Sequence, residues 1–140
     1  MKELINRTKI KVRFSEVDSM AVVWHGNYVK YLEDGREAFG KEFGLTYLDV
    51  YANGFITPVV KVDLTYLKTV KYGDELVIET KLLPTEAAKV TFEYQIFNKK
   101  DDSLVLRAST TQVFMNLDGE MELTNPQFYL DWKEKVGILK

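Results

Sequence analysis

Asn27-Tyr28-Val29-Lys30-Tyr31-Leu32-Glu33-Asp34-Gly35-Arg36-Glu37-Ala38-Phe39-Gly40-Lys41-Glu42-Phe43 is the stretch on which the fold turns. Tyr28, Tyr31, Leu32, Gly35, Phe39 and Phe43 recur at spacings of three and four, and Lys30, Glu33, Asp34, Arg36, Glu37 and Lys41 fall mostly elsewhere. That is the period of an amphipathic helix, and at 1.5 Å per residue it spans about 25 Å. Gly35 falls on the apolar stripe, where glycine weakens the helix but lets a sheet approach closely. A packing contact is expected there. Gly44 is placed to end the helix, Thr46 to Ala52 to add another helical turn or two, and Asn53-Gly54 to close the segment.

Outward from the helix the period changes to two. Lys9 to Phe14 alternates, with Ile10, Val12 and Phe14 on one side and Lys9, Lys11 and Arg13 on the other, so the chain is expected to open on a half-buried strand. Downstream, Val60, Val62, Leu64 and Tyr66 alternate with Lys61, Asp63 and Thr65, and Val90, Phe92, Tyr94 and Ile96 with Thr91, Glu93 and Gln95. Glu75 to Leu83 and Leu104 to Met115 supply two more strands. The connections Lys71-Tyr72-Gly73-Asp74, Pro84 to Ala88 and Asn98 to Ser103 are short and turn-rich, and read as antiparallel hairpins. Asn125 is expected to cap a last helix, with Pro126 at its first position, running to about Val136.

One long helix with a five-stranded antiparallel sheet is an α+β arrangement. The strand Val105 to Met115 carries Arg107, Ser109 and Thr111 on one side and Leu106, Ala108 and Phe114 on the other. A single helix covers only part of a sheet face, so a second copy of the chain is expected to cover the rest and a free edge.

The bulk numbers narrow the function. With 140 residues, 46% of them hydrophobic, a single domain over 1–140 is expected. Lys+Arg at 19 against Asp+Glu at 21, without runs of either sign, offers no surface for nucleic acid or an anionic membrane. The absence of cysteine removes disulfides and thiolate nucleophiles and fits a reducing compartment. No segment approaches the roughly 20 apolar residues of a membrane span, and Met1 to Phe14 has no signal-like apolar run, so a cytoplasmic protein is expected. His25 is the only histidine, which excludes two-histidine zinc sites, and no metal is expected.

Between the first strand and the helix, Ser15 to Gly26 holds a carboxylate, Asp18, the sole imidazole and the apolar run Ala21 to Trp24. A carboxylate can attack a thioester carbonyl or activate water, and N–H groups at a helix entry can stabilise the oxyanion. The same residues have plainer readings. Asp18 can bond its own backbone two residues on, and His25 can be a packed helix-entry residue. Glu33 and Arg36 are read as a solvated or structural ion pair. Ser15 and Ser19 lack the G-x-S-x-G elbow of a serine nucleophile.

Arg13-Phe14-Ser15-Glu16-Val17-Asp18, Val22-Val23-Trp24-His25-Gly26-Asn27-Tyr28 and Tyr31-Leu32-Glu33-Asp34-Gly35-Arg36 together resemble the N-terminal signature of the 4-hydroxybenzoyl-CoA thioesterase family of hotdog proteins. The order of elements resembles that family over nearly the whole chain. The resemblance implies a hotdog fold, a five-stranded antiparallel sheet wrapped around one long central helix. It also implies hydrolysis of acyl-CoA or acyl carrier protein thioesters without metal or cofactor. Asp18 would then be nucleophile or general base, and the backbone N–H at His25 would face the thioester carbonyl. Val23, Trp24, Asn27 and Tyr28 would line the substrate, in a homodimer or homotetramer with the site at a subunit interface. Two residues depart from the family pattern. Phe14 stands where many relatives carry tyrosine, and Ser19-Met20-Ala21 replaces the usual Ala-Gly or Gly-Gly. Lys61, Lys68, Lys71 and Lys89 are equal candidates for CoA phosphates, and Tyr28, Tyr31, Phe39 and Phe55 for pocket walls. A non-catalytic acyl-thioester-binding hotdog protein is the main alternative, ahead of a hotdog dehydratase.

Overall fold

The structure is a computed structural model that describes residues 2–138. Its elements are β1 (Ile5–Lys11), α1 (Asn27–Phe43), α2 (Tyr47–Ala52), β2 (Phe55–Ile56), β3 (Val59–Tyr66), β4 (Glu75–Leu83), β5 (Lys89–Asn98), β6 (Ser103–Val113), β7 (Met115–Asn116) and α3 (Gln127–Lys135). Five strands form one antiparallel sheet in the order β1-β4-β5-β6-β3, and β2 pairs with β7 in a separate two-stranded ladder.

The helix read from the sequence has the bounds expected. Its buried face is Asn27, Tyr28, Tyr31, Leu32, Gly35, Phe39 and Gly40. Each fully buried large side chain on it stabilises the fold by about 1.5–3 kcal/mol. It ends at Gly44, whose φ of 77° lets its N–H reach back to the Gly40 carbonyl. Gly35 makes the predicted contact: a Cβ there would come within 2.5 Å of Thr80 Oγ1 and 2.9 Å of Ile78 Cγ2 on β4. α1 therefore lies against β1 and β4, toward one side of the sheet. Thr46 caps α2, accepting a 3.1 Å bond from the Asp49 N–H while the Asp49 carboxylate accepts from Thr46 N–H at 2.9 Å. α3 closes one end, where Trp132 Nε1 donates to the Phe43 carbonyl at 2.7 Å.

Four expectations are corrected. The first strand runs from Ile5 to Lys11, not to Phe14. Val12 is still buried, but the Glu16 carboxylate accepts the Arg13 N–H at 2.7 Å and folds Phe14–Glu16 into a 3-10 turn, which leaves Phe14 exposed. The connection through Lys71–Asp74 is not a hairpin. β3 pairs with β6 and β4 with β1 and β5, so this segment crosses the sheet from one edge to the other side. The last helix is capped by Pro126, because the Asn125 amide is drawn to the Glu86 carbonyl at 3.1 Å. Arg36 does not pair with Glu33: its Nη1 donates to Tyr94 Oη at 3.1 Å, and that hydroxyl lies 2.6 Å from Thr110 Oγ1.

Among the described residues no helix is long and apolar enough to cross a membrane.

Candidate active site

The segment before α1 is a small hairpin with an acid at its tip. Val17 bridges Val23, the Asp18 N–H donates to the Val22 carbonyl at 2.9 Å, and the Ala21 N–H donates back to the Asp18 carbonyl at 2.9 Å. Closing so tight a turn puts Ala21 at φ 64°, a left-handed conformation where glycine is the unstrained choice. The outer strand of this hairpin is tied to the crossover that follows β3, through the Val22–Lys71 bridge and the Val23 N–H bond to the Val70 carbonyl at 2.9 Å.

Glu16 organises the base of the hairpin, a role the sequence reading missed. Its carbonyl accepts from the Trp24 N–H at 3.0 Å and from Asn27 Nδ2 at 2.9 Å, and its carboxylate accepts from the Tyr31 hydroxyl at 3.1 Å. Burial, and next the Glu16 carboxylate, push the Tyr31 phenol well above its ordinary range, so it stays a neutral donor. The only sequence signal was Glu16 lying three residues after Arg13, the spacing by which an acid closes a turn on a backbone N–H.

Asp18 is half-buried. One carboxylate oxygen accepts the Met20 N–H at 2.8 Å, the Asx turn anticipated as the plain reading. Among the described residues the other oxygen accepts no hydrogen bond, so it can act as a base or nucleophile while the first is held.

Beside this hairpin the helix opens with two unsatisfied donors. The Asn27 N–H donates to the Trp24 carbonyl at 2.9 Å and the Tyr28 N–H to the His25 carbonyl at 3.3 Å. Among the described residues the N–H groups of His25 and Gly26 have no acceptor. Such free N–H groups at a helix start are where negative charge is stabilised. A Cβ at Gly26 would overlap the Trp24 indole, so any larger residue there obliges that exposed ring to swing away.

The other predicted site residues divide into surface and floor. His25 and Trp24 are exposed with ring centroids 5.0 Å apart, and the imidazole makes no hydrogen bond among the described residues. Val23, Asn27 and Tyr28 are buried beneath them. Tyr28 packs edge-on to Tyr66 at 5.4 Å, and burial, then Tyr66, push its phenol up to about 12. Tyr31 and Phe39 are core residues, not pocket walls.

Two concavities lie away from Asp18. One of about 630 Å³ sits between the segment before β1, the end of β4 and the end of α3, lined by Leu4, Leu82, Pro84, Lys133 and Ile138. Another of about 470 Å³ lies between α1, α2 and the β3 side of the sheet, with Arg36, Tyr47, Val59, Phe92 and Phe114 among its walls. Neither is lined by Asp18 or His25.

A long helix on a five-stranded antiparallel sheet, entered through a hairpin with a carboxylate at its tip and free N–H groups where it runs into the helix, is a hotdog arrangement. Residues 12–133 match the thioesterase-like superfamily, and the chain belongs to it. The chain is 28% identical to YneP of Bacillus subtilis strain 168, a candidate acyl-CoA thioesterase, over 91% of its own length and 92% of that protein's. It is 27% identical to the 4-hydroxybenzoyl-CoA thioesterase of Pseudomonas sp. strain CBS-3, over 79% and 82% of the two chains. Among solved structures, the DHNA-CoA thioesterase of Staphylococcus aureus superposes with a TM-score of 0.85 at 27% identity, covering 94% of this chain and 88% of its own.

Proposed function

We propose that this chain hydrolyses acyl-CoA or acyl carrier protein thioesters to a free acid and a thiol, with Asp18 as the reacting carboxylate. One observation carries the reading: a single short hairpin holds a carboxylate oxygen without a hydrogen bond, at Asp18, on its tip and leads at its other end into the free N–H groups of His25 and Gly26. With the thioester oxygen at those N–H groups, negative charge developing there is stabilised as the carbonyl carbon becomes tetrahedral. The attack comes from Asp18 itself, giving a mixed anhydride that water then cleaves, or from a water that Asp18 deprotonates. In both routes the C–S bond breaks and thiolate leaves. Thiolate is a good leaving group, so a site without a triad suffices. Trp24 and Val23 shield the carbonyl from bulk water on one side.

The catalytic unit is a homo-oligomer in the cytoplasm, formed first by pairing of the β3 edges. β3 ends the sheet and leaves Val60, Val62 and Tyr66 exposed, with Val60 at 59%. α1 packs on β1 and β4 and reaches β5 through Phe39 and Arg36, whereas Val60 and Val62 on the inner face of β3 stay exposed in one copy. A partner placed there completes the wall that the Asp18 hairpin lacks.

Thiol release from a panel of aliphatic and aromatic acyl-CoAs tests the reading. Turnover of at least one class is expected. Binding of acyl thioesters without thiol release would support instead a non-catalytic acyl-binding protein.

A further inference from the structure

We infer that Tyr66 is a positioning residue for this reaction, its hydroxyl orienting and polarising the peptide that presents the Gly26 N–H. The inference rests on the hydrolytic reading above. A trans peptide holds its C=O and N–H in opposite directions, so whatever bonds the carbonyl of one residue aims the N–H of the next. The Trp24 carbonyl is held by the Asn27 N–H at 2.9 Å, which turns the His25 N–H outward. The His25 carbonyl has only a long 3.3 Å bond from the Tyr28 N–H within the helix. Its second donor comes from far along the chain: the Tyr66 hydroxyl, at 3.2 Å.

That second bond has two effects. It fixes the plane of the His25–Gly26 peptide at a helix end, where first turns fray. It also withdraws electron density through the amide, which strengthens the Gly26 N–H as a donor by about 10–30% per bond in a chain of this kind. The phenol is itself located by packing, edge-on to the Tyr28 ring at 5.4 Å and to the His25 ring at 6.4 Å. Beyond the Tyr28 N–H and this hydroxyl, no group among the described residues donates to that carbonyl.

Tyr66 is also the last residue of β3, one of the two edge strands of the sheet. A shift at the end of that strand therefore moves the Gly26 N–H. Pairing of two β3 edges and the quality of the oxyanion site are thereby linked through a single hydroxyl.

The test compares wild type, Tyr66→Phe and Tyr66→Leu on the acyl-CoA turned over best. Removing one oxyanion donor outright costs about 100- to 1000-fold in kcat, so loss of a group that orients one is expected to cost about tenfold. KM is expected to stay within about twofold, since ground-state binding is untouched. In an amide NMR spectrum of Tyr66→Phe the Gly26 resonance is expected to move upfield in proton shift. Tyr66→Leu, which removes the ring as well, is expected to show the same loss in kcat with a lower melting temperature. A Tyr66→Phe protein with wild-type kcat and an unmoved Gly26 resonance overturns the inference, and so does a loss confined to Tyr66→Leu, which would assign packing alone. Either result with an active wild type leaves the hydrolytic reading standing, whereas an inactive wild type removes that reading first.

Discussion

Ala21 is the residue where local strain and the reacting group meet. It holds φ 64° so that its N–H can close the turn on the Asp18 carbonyl, and for an L-residue that conformation costs roughly 1–2 kcal/mol. Glycine would relieve the strain but lose about 0.5–1 kcal/mol to its extra freedom when unfolded. Ala21→Gly is therefore expected to raise the free energy of unfolding by roughly 0.5–1 kcal/mol, read by chemical denaturation. A destabilised Ala21→Gly protein would mean that the Ala21 methyl makes a packing contact outweighing the strain. At this scale much of the site was legible. The Asx turn of Asp18 and the helix entry follow from neighbours in sequence, whereas Asp18 as the reacting group is what the family resemblance implies. Glu16 and Tyr66 were not legible, because their bonds reach Tyr31 and His25, 15 and 41 residues away, and no local period reports such pairings.

Among the elements, α1 was readable to its ends because its burial period and its Gly44 terminator agree. β1 was misplaced because alternation runs on by chance through Arg13 and Phe14, after the Glu16 carboxylate has already turned the chain. The crossover from β3 to β4 was read as a hairpin because Lys71–Asp74 has turn chemistry, while strand order is set by partners far away in sequence. The free β3 edge carries its own specificity. A two-fold axis that joins two β3 strands into one sheet keeps their inner faces on the same side, so it must pass through a residue position. Centred on Val62, it sets Lys61 against Asp63 of the partner subunit, whereas centring on Lys61 or Asp63 opposes like charges. Opposed pairs of this kind contribute roughly 0.2–1 kcal/mol each, and the symmetry doubles them. Lys61→Asp is therefore expected to weaken self-association by about 2- to 30-fold, and adding Asp63→Lys to restore it, as measured by sedimentation equilibrium. An unchanged dissociation constant in the single variant, or no recovery in the double, would place the interface or its register elsewhere.

For the whole molecule, the sheet and helix form a scaffold whose filled side, over β1, β4 and β5, supplies stability and whose open side, toward β3, is where the proposed second copy would sit. The hairpin before α1 stands at the surface of one chain, and the two concavities described above lie apart from it. Both facts fit a site whose enclosing wall comes from assembly while its reacting groups come from one segment, residues 16–26. The resemblance visible in the sequence stops at reaction type. Phe14, exposed and 5.8 Å from the Tyr72 ring, and Met20, 76% exposed on the Asp18 turn, leave the acyl class to the substrate panel. The central claim is the role of Asp18, and thiol release by wild type and Asp18→Asn on the same acyl-CoA tests it most directly. Asparagine keeps the size of the side chain and its bond to the Met20 N–H but removes the charge that attacks or deprotonates. kcat is expected to fall by at least about 100-fold, with the melting temperature unchanged; equal rates for the two proteins would show that Asp18 is not the reacting carboxylate.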